Sequence, residues 1–312
     1  MPAQANQPLA EGTRLENYRV KRLLAAGGFS FVYLAHDEND CPVAIKEYLP
    51  STLEVRTNGS PHPHIAEADA AAFRAGLRCF FEEGRALAHL SHPNVVRVLN
   101  FFRANDTVYL VMRYERGRTL QAHIRERRGM LEERWLRATF GELLNGLREV
   151  HSGKLLHLDI KPANVYIRND GSPVLIDFGA ARQALGAEAT RLPPTLTPGF
   201  ASPEQHHRRE ALGPWSDMYC VGATLYSCMT GKPPPPADER VRADKLVPAR
   251  RAASGRYSRQ LLDTVDACLA LDALARPQSG LALQKALRGG GEALAPARPL
   301  LDHLKGMFGA MR

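Results

Sequence analysis

Asp159, Lys161 and Asn164 stand within His157-Leu158-Asp159-Ile160-Lys161-Pro162-Ala163-Asn164, and Asp177-Phe178-Gly179 follows shortly after. On two tight loops around one point, these groups suit a metal-bound triphosphate beside an attacking hydroxyl. Asp159 can orient that hydroxyl and accept its proton, and Lys161 can neutralise charge on a moving phosphoryl group. Asn164 and Asp177 offer oxygen ligands to Mg²⁺. The plainer reading is two turns rich in Asp and Asn, but turn chemistry asks for neither Lys161 nor the upstream groups described next.

Several elements must bring these side chains together. Lys154-Leu155-Leu156 and Pro173-Val174-Leu175-Ile176 are short apolar runs that read as strands, so the polar residues emerge at strand ends. Upstream, Tyr18 to Leu24 and Phe31 to Ala35 read as two strands joined by Ala25-Ala26-Gly27-Gly28-Phe29-Ser30. Such a small-residue turn lets backbone N–H groups approach phosphates closely. Val43-Ala44-Ile45-Lys46 is a third strand, and a cation at its end is suited to the α- and β-phosphates. Trp135, Leu136, Phe140, Leu143, Leu144, Leu147 and Val150 recur at helical spacing, which gives one buried face on a long helix leading into the first loop.

From about Tyr18 to about Leu287 these ordered motifs resemble a eukaryotic-type (Hanks-type) Ser/Thr protein kinase, and within that family its bacterial members, here with a His-Leu-Asp catalytic loop. The resemblance implies an α+β, bilobal protein-kinase-like fold. A small β-rich N-lobe with one main helix would span about 14–113, and a larger, mainly helical C-lobe about 119–287. A disordered lead, 1–13, would precede them, and a linker with a short amphipathic helix, 288–312, would follow.

The same resemblance assigns roles. Asp159, Lys161 and Lys46 are the catalytic candidates, and Asn164 and Asp177 the metal ligands. Nucleotide contacts fall to Ala25, Gly27, Gly28, Ser30, Val32, Ala44, Lys46, Glu83, Met112 and Tyr114, with Asn164 and Asp177. Met112 would back the pocket, and backbone groups from Arg113 to Glu115 would read adenine. Glu83 is the helix partner of Lys46, with Glu82 second; successive helical residues point about 100° apart, so only one can face the lysine. Thr197 would touch Asp159 and Lys161, Glu204 would be buried against Arg276, and Asp217 would open an apolar helix running to about Met229.

Three departures stand out. Ala25 and Ser30 occupy positions where the family usually has glycine in its phosphate loop. Leu158 replaces the arginine that commonly receives an activation-loop phosphate, which implies activity independent of that phosphorylation although Thr190, Thr195 and Thr197 remain acceptors. Lys46 and Glu83 are unusually far apart, with an insertion at about 47–67. The implied reaction is transfer of the ATP γ-phosphoryl group, with Mg²⁺ or Mn²⁺, to Ser or Thr hydroxyls of proteins, in bacterial signalling. A pseudokinase acting as a binding module would be expected to lack one of Lys46, Asp159, Asn164 or Asp177, and all four are present. A small-molecule phosphotransferase fits less well with Lys161, Asp-Phe-Gly and Ser202-Pro203-Glu204.

Composition agrees. With 312 residues, 44% apolar and 24% charged, the chain is long enough for two lobes, each with a core. A net charge of +8 without a basic stripe and stacking aromatics gives no nucleic-acid partner, while acidic protein substrates are permitted. The five cysteines are scattered and read as reduced packing residues. No run approaches the ~18 apolar residues of a membrane span, and no signal peptide opens the chain, so the expectation is a cytoplasmic protein without membrane contact. His62 and His64 read as a surface loop rather than a metal site, His206-His207 as a solvated helix face, and Pro233 to Pro236 as a loop. Leu300, Leu301, Leu304, Met307, Phe308 and Met311 share one helical face. A helix with that face could dock on the kinase lobe, bind a partner or rest on an anionic membrane, and either it or the 47–67 insertion could meet a regulatory partner.

Overall fold

The computed structural model describes residues 6–51, 54–56, 60–128, 130–178, 196–207 and 211–289. Residues 1–5 of the expected lead, part of the insertion, Gly179, Thr190, Thr195 and the expected linker and C-terminal helix from 290 onward lie outside them. The chain divides into two units, Met1–His123 with Asn145–Leu196, and Ile124–Leu144 with Thr197–Arg312.

The first unit is built on β1 (Arg14–Leu15), β2 (Tyr18–Ala26), β3 (Ser30–His36) and β4 (Pro42–Tyr48), followed by the short pair β5 (Glu54–Val55) and β6 (His64–Ile65) and the helix α1 (Ala70–Ala88). Strands β7 (Val98–Ala104) and β8 (Thr107–Arg113) complete a six-stranded antiparallel sheet in the order β1-β2-β3-β4-β8-β7. Period-2 alternation sets the faces: Phe31, Tyr33 and Ala35 of β3 are buried, while their neighbours are half-buried. The last four residues of β4 are all buried, so this strand is covered on both faces. Any polar group there needs a partner.

Helix α1 buries Phe73, Gly76, Phe80, Glu83, Gly84 and Leu87, the i, i+3, i+4 stripe of an amphipathic helix, and packs against β7 and β8. Gly76 is required by close approach: a Cβ there would overlap the Tyr48 hydroxyl, whose ring lies between Phe73 and Phe80 at centroid distances of 5.5 and 5.6 Å.

After β9 (Gly117–Thr119) come α2 (Leu120–Glu126) and α3 (Glu133–Ser152), then β10 (Val165–Arg168) and β11 (Pro173–Leu175), which form a small antiparallel sheet in the order β11-β10-β9. Helix α3 buries Leu136, Phe140, Leu143, Leu144, Leu147 and Val150 completely, as the periodicity predicts; Trp135 is half-buried. Asn94 stitches β11 in place, donating from Nδ2 to the Pro173 carbonyl (2.7 Å) and accepting at its own carbonyl from the Leu175 N–H (2.9 Å).

Two expectations are corrected. Lys154-Leu155-Leu156 is not a strand. The Leu155 N–H still bonds the Val150 carbonyl and Lys154 takes a left-handed φ of 58°, so these residues are the exit turn of α3. From Asn6 onward the expected disordered lead is packed, with Leu9 buried in the same apolar cluster as Val20, Tyr33, Ile45 and Val111. A single apolar residue in a polar run carries the segment, too little for periodicity to register.

The second unit is helical: α4 (Pro203–His207), α5 (Pro214–Thr230), α6 (Ala237–Arg242), α7 (Ala249–Ala252), α8 (Arg259–Cys268) and α9 (Gly280–Arg288), together with the start of α3. Every residue of α5 from Ser216 to Met229 is buried, so the helix is enclosed on all sides rather than amphipathic, with Asp217 at its start among the buried polar residues. Glu204 and Arg276 form the expected buried pair, Nη1 to Oε1 at 2.7 Å and Nη2 to Oε2 at 3.0 Å. Burial opposes charge on Glu204, but Arg276 and the Ser216 hydroxyl outweigh it and hold the carboxyl below its ordinary value. Among the described residues, no helix is long and apolar enough to cross a membrane, and no group of three or more metal-type side chains is gathered.

Candidate active site

Lys46 sits on β4 between Val32 of β3 and Leu110 of β8, its cross-strand partners in the sheet. Its ammonium donates to Asp177 Oδ1 at 2.6 Å and stands 3.9 Å from Glu83 Oε1. Both Lys46 and Glu83 are buried, whereas the Asp177 side chain is 44% exposed. Glu82 faces outward beside Arg85 (3.8 Å), so helix geometry gives Glu83, not Glu82, to the lysine.

The loop of residues 157–164 forms a second ionic cluster in the same unit. Lys161 Nζ donates to Asp159 Oδ2 at 2.7 Å, and the Asn164 amide donates to the same oxygen at 2.8 Å and to the Asp159 carbonyl at 2.9 Å. Asp159 is thereby held by two side chains that follow it in sequence. Behind it the buried His157 ring accepts from the Asp159 N–H (3.3 Å) and packs on Phe178 at a centroid distance of 4.4 Å. The two loops are joined by a backbone bond from the Ile176 N–H to the Asn164 carbonyl, 3.0 Å. Leu158 and Asp177 both hold left-handed φ values, 61° and 62°. Non-glycine residues rarely adopt this conformation, and where they do the surroundings enforce it, commonly at functional sites.

A cavity of about 690 Å³ is lined by residues of this one unit. Of the nucleotide candidates, Ala25, Gly27, Ser30, Val32, Ala44, Lys46, Glu83, Met112, Tyr114, Asn164 and Asp177 line it; Gly28 does not. Asp159 and Lys161 stand outside the lining and reach it through Asn164. The turn between β2 and β3 is closed by the Gly27 N–H on the Ser30 carbonyl, 2.9 Å, so Ala25 and Ser30 are accommodated in a tight loop without further glycine. Sequence reasoning missed the apolar lining from Leu24, Val96, Tyr166 and Ile176. Ile176, one residue before Asp177, was the most accessible of these, because a strand residue beside a site residue often shares its cavity wall.

Glu115, which also lines the cavity, is fixed from β10 by Arg168, whose Nε and Nη2 donate to its two oxygens at 2.6 and 2.8 Å. Hydrogen bonds to Glu115 raise the Arg168 guanidinium above its ordinary value despite partial burial. Gly117 follows where the chain crosses β10, and a Cβ there would run into the Ile167 carbonyl oxygen.

Comparison with known proteins bears on this geometry. The sequence matches the protein kinase domain over residues 18–287. Serine/threonine-protein kinase PknA of Nostoc sp. is 29% identical over 291 residues, covering 90% of this chain and 49% of that protein. Serine/threonine-protein kinase B of Synechocystis sp. is 31% identical over 250 residues, 75% of this chain and 40% of its own length. The chain thus spans about half, or less, of these curated relatives. A solved structure described as PpkA-294 apo form is 34% identical, with a TM-score of 0.81 over 90% of this chain and 99% of that one. A match that begins at the first long strand and ends in the last described helix, on a fold shared with a solved relative, leaves one conclusion: the chain belongs to the protein kinase family, of the Hanks type.

Proposed function

We propose that this chain is a protein serine/threonine kinase that uses ATP with Mg²⁺, or Mn²⁺ in its place, and phosphorylates Ser or Thr hydroxyls of protein substrates in bacterial signalling. Members of the family use ATP and a divalent metal. The observation that carries the reading is the joining of two ionic clusters on neighbouring loops: Lys46 on Asp177, and Lys161 with Asn164 on Asp159. The residues present fit Mg-ATP. Asp177 and Asn164 supply hard oxygen donors of the kind Mg²⁺ prefers, and the adjoining cavity is apolar where an adenine ring would lie, along Leu24, Val96, Met112 and Ile176. Held by Asn164 and Asp177, a divalent metal would supply positive charge that offsets the negative charge of the triphosphate.

The chain's own residues do the rest. Lys46 holds the α- and β-phosphates, and Glu83 of α1, 3.9 Å from its ammonium, helps keep it in place. Asp159 orients the acceptor hydroxyl and takes its proton as the hydroxyl oxygen bonds to the γ-phosphorus and the bond from that phosphorus to the β,γ-bridging oxygen breaks, with ADP leaving; Lys161, bonded to that same carboxylate, offsets negative charge beside it. Asn164 acts at both ends of its amide: its N–H groups lock Asp159, and its oxygen is the donor it offers the metal. Main-chain groups around Tyr114 read adenine, on a segment braced by the Arg168 clamp on Glu115. The kinase domain is assigned to 14–287, with its N-lobe to about 113, and a cytoplasmic location accords with the scattered free cysteines.

The test is transfer of γ-labelled phosphate from ATP with Mg²⁺ to the protein itself and to a generic acceptor, comparing the wild type with Asp159→Asn. Label on Ser or Thr that is lost in the variant is expected. ATP binding without label in either protein would favour a binding module instead.

A further inference from the structure

The residue after the strand lysine, Glu47, is also charged, and it is completely buried. Its carboxylate accepts four hydrogen bonds, two on each oxygen. Oε1 takes the Tyr109 hydroxyl at 2.7 Å and Arg56 Nη2; Oε2 takes the Tyr33 hydroxyl at 2.8 Å and Arg56 Nη1 at 3.0 Å. The donors come from three places: β3, β8 and the insertion. Each tyrosine is itself oriented by a further donor, Leu9 N–H onto Tyr33 (3.1 Å) and Asn105 Nδ2 onto Tyr109 (3.1 Å). Arg56 in turn donates its backbone N–H to Asn6 Oδ1 at 2.9 Å.

Sheet register shows what this cluster can control. Lys46 is paired with Val32 on one side and Leu110 on the other, and all three line the cavity. The next row is Phe31, Glu47 and Tyr109. Successive residues of a strand point to opposite faces, so the carboxylate clamps the back of the strands whose front presents Lys46. We propose that Glu47 is a positioning residue for phosphoryl transfer: through Tyr33, Tyr109 and Arg56 it locks β3, β4 and β8 in register and thereby fixes where the Lys46 ammonium stands.

A surface glutamate would not need this arrangement. A buried carboxylate with every acceptor site filled is rigid, because moving it breaks several charge-assisted bonds at once. Burial and the charge of Glu47 both push the tyrosine hydroxyls up, so they remain donors at any ordinary pH. The insertion, where the sequence allows for a regulatory partner, and the lead meet at this point, since Arg56 belongs to one and Asn6 and Leu9 to the other. Both therefore have a polar hold on the lysine strand through Glu47.

The inference rests on the kinase reading, and its test separates the two. ATP and adenosine affinities are measured by calorimetry for the wild type, Tyr33→Phe/Tyr109→Phe, and Glu47→Gln/Arg56→Met. The first variant leaves the buried ion pair intact and the second leaves no unbalanced charge, so a folded protein is available for comparison, and melting temperatures are recorded beside the affinities. Lys46 touches phosphates and not the nucleoside, so a displaced lysine weakens ATP alone. The expected result is a loss of about tenfold for ATP, a change of about 1.4 kcal/mol, with adenosine held within about twofold. Equal losses for both ligands, or none for either, would show a purely structural cluster and overturn the proposal. A wild type that binds ATP no better than adenosine and transfers no phosphate would instead remove the kinase reading.

Discussion

Lys46 and Arg276 are both cations buried against carboxylates, and they are held in opposite ways. Arg276 is closed off: it donates to both oxygens of Glu204 and to the carbonyls of Ala270, Leu271 and Trp215, while Ser216 adds a further bond to the glutamate at 2.7 Å. Lys46 shares one ammonium between Asp177 and the more distant Glu83, at the wall of a cavity, with Asp177 nearly half exposed. In the first pair the protein uses the donors of the guanidinium for itself. In the second it keeps charge turned toward a space where phosphates would fit. The closed pair should therefore govern stability and the open cluster activity, with little exchange between the two.

Asp159→Asn is the sharpest way to test that division. The amide keeps one oxygen for Lys161 and Asn164 but cannot accept the acceptor's proton, so transfer should fall by about 10³-fold or more while the melting temperature barely moves. A variant that lost stability in proportion to activity would erase the distinction. Arg276→Met tests the other side. It strands the Glu204 carboxylate in a buried site, and urea denaturation should show a loss of about 3–5 kcal/mol. Activity per folded molecule should be preserved.

Gly76→Ala lies between the two. Its methyl group meets the Tyr48 hydroxyl, which is packed under α1, the helix that carries Glu83. Overpacking should cost about 1–3 kcal/mol and the displaced helix should lower kcat/KM as well, whereas Asp159→Asn lowers activity alone and Arg276→Met stability alone. Equal kcat/KM in a destabilised Gly76→Ala would mean that Glu83 tolerates movement relative to Lys46.

Acid offers a milder test of the closed pair. The Glu204 carboxyl is lowered from its ordinary value of 4.5. A depressed folded-state value contributes stability above the unfolded one, and that contribution is lost as pH falls through the folded value. The wild type should therefore lose stability on acidification below about 4.5 more steeply than Glu204→Leu/Arg276→Met, in which the linkage is absent. Parallel denaturation midpoints across that range would place the acid sensitivity elsewhere.

Much of this architecture is legible in the sequence, and for identifiable reasons. Asp159, Lys161, Asn164 and Asp177 stand close together along the chain, so the cluster proposed as the active site is legible from residue types and spacing alone. The buried face of α3 is equally plain, because twenty residues of regular helix repeat the same period often enough to read. Short segments fare worse. Lys154-Leu155-Leu156 has the composition of a strand, but three residues cannot distinguish a strand from a helix exit in which Leu155 is buried and Leu156 half-buried. Glu47 escapes sequence reasoning because its meaning lies in Tyr33, Tyr109 and Arg56, which are remote in sequence and follow no motif. The one local signal is two adjacent charges, Lys46 and Glu47, inside an otherwise apolar strand, where each needs a partner on its own face.

The smallest expected effect concerns Leu158. In a kinase that waits for an activation-loop phosphate, a guanidinium beside the catalytic aspartate receives it through charge-assisted hydrogen bonds. Here that position holds a leucine that is 2% exposed and fixed in a left-handed turn, so it offers neither charge nor a donor side chain. Asp159 is instead oriented from within its own loop by Lys161 and Asn164, whose bonds of 2.7 and 2.8 Å need no phosphate to form. Thr190→Ala/Thr195→Ala, and wild-type protein treated with a phosphatase, should therefore keep initial rates within about twofold of the untreated wild type. A drop beyond about tenfold, more than about 1.4 kcal/mol of transition-state stabilisation, would mean that some cation other than residue 158 reads a loop phosphate. The open cluster would then depend on a modification that its own hydrogen bonds do not reveal.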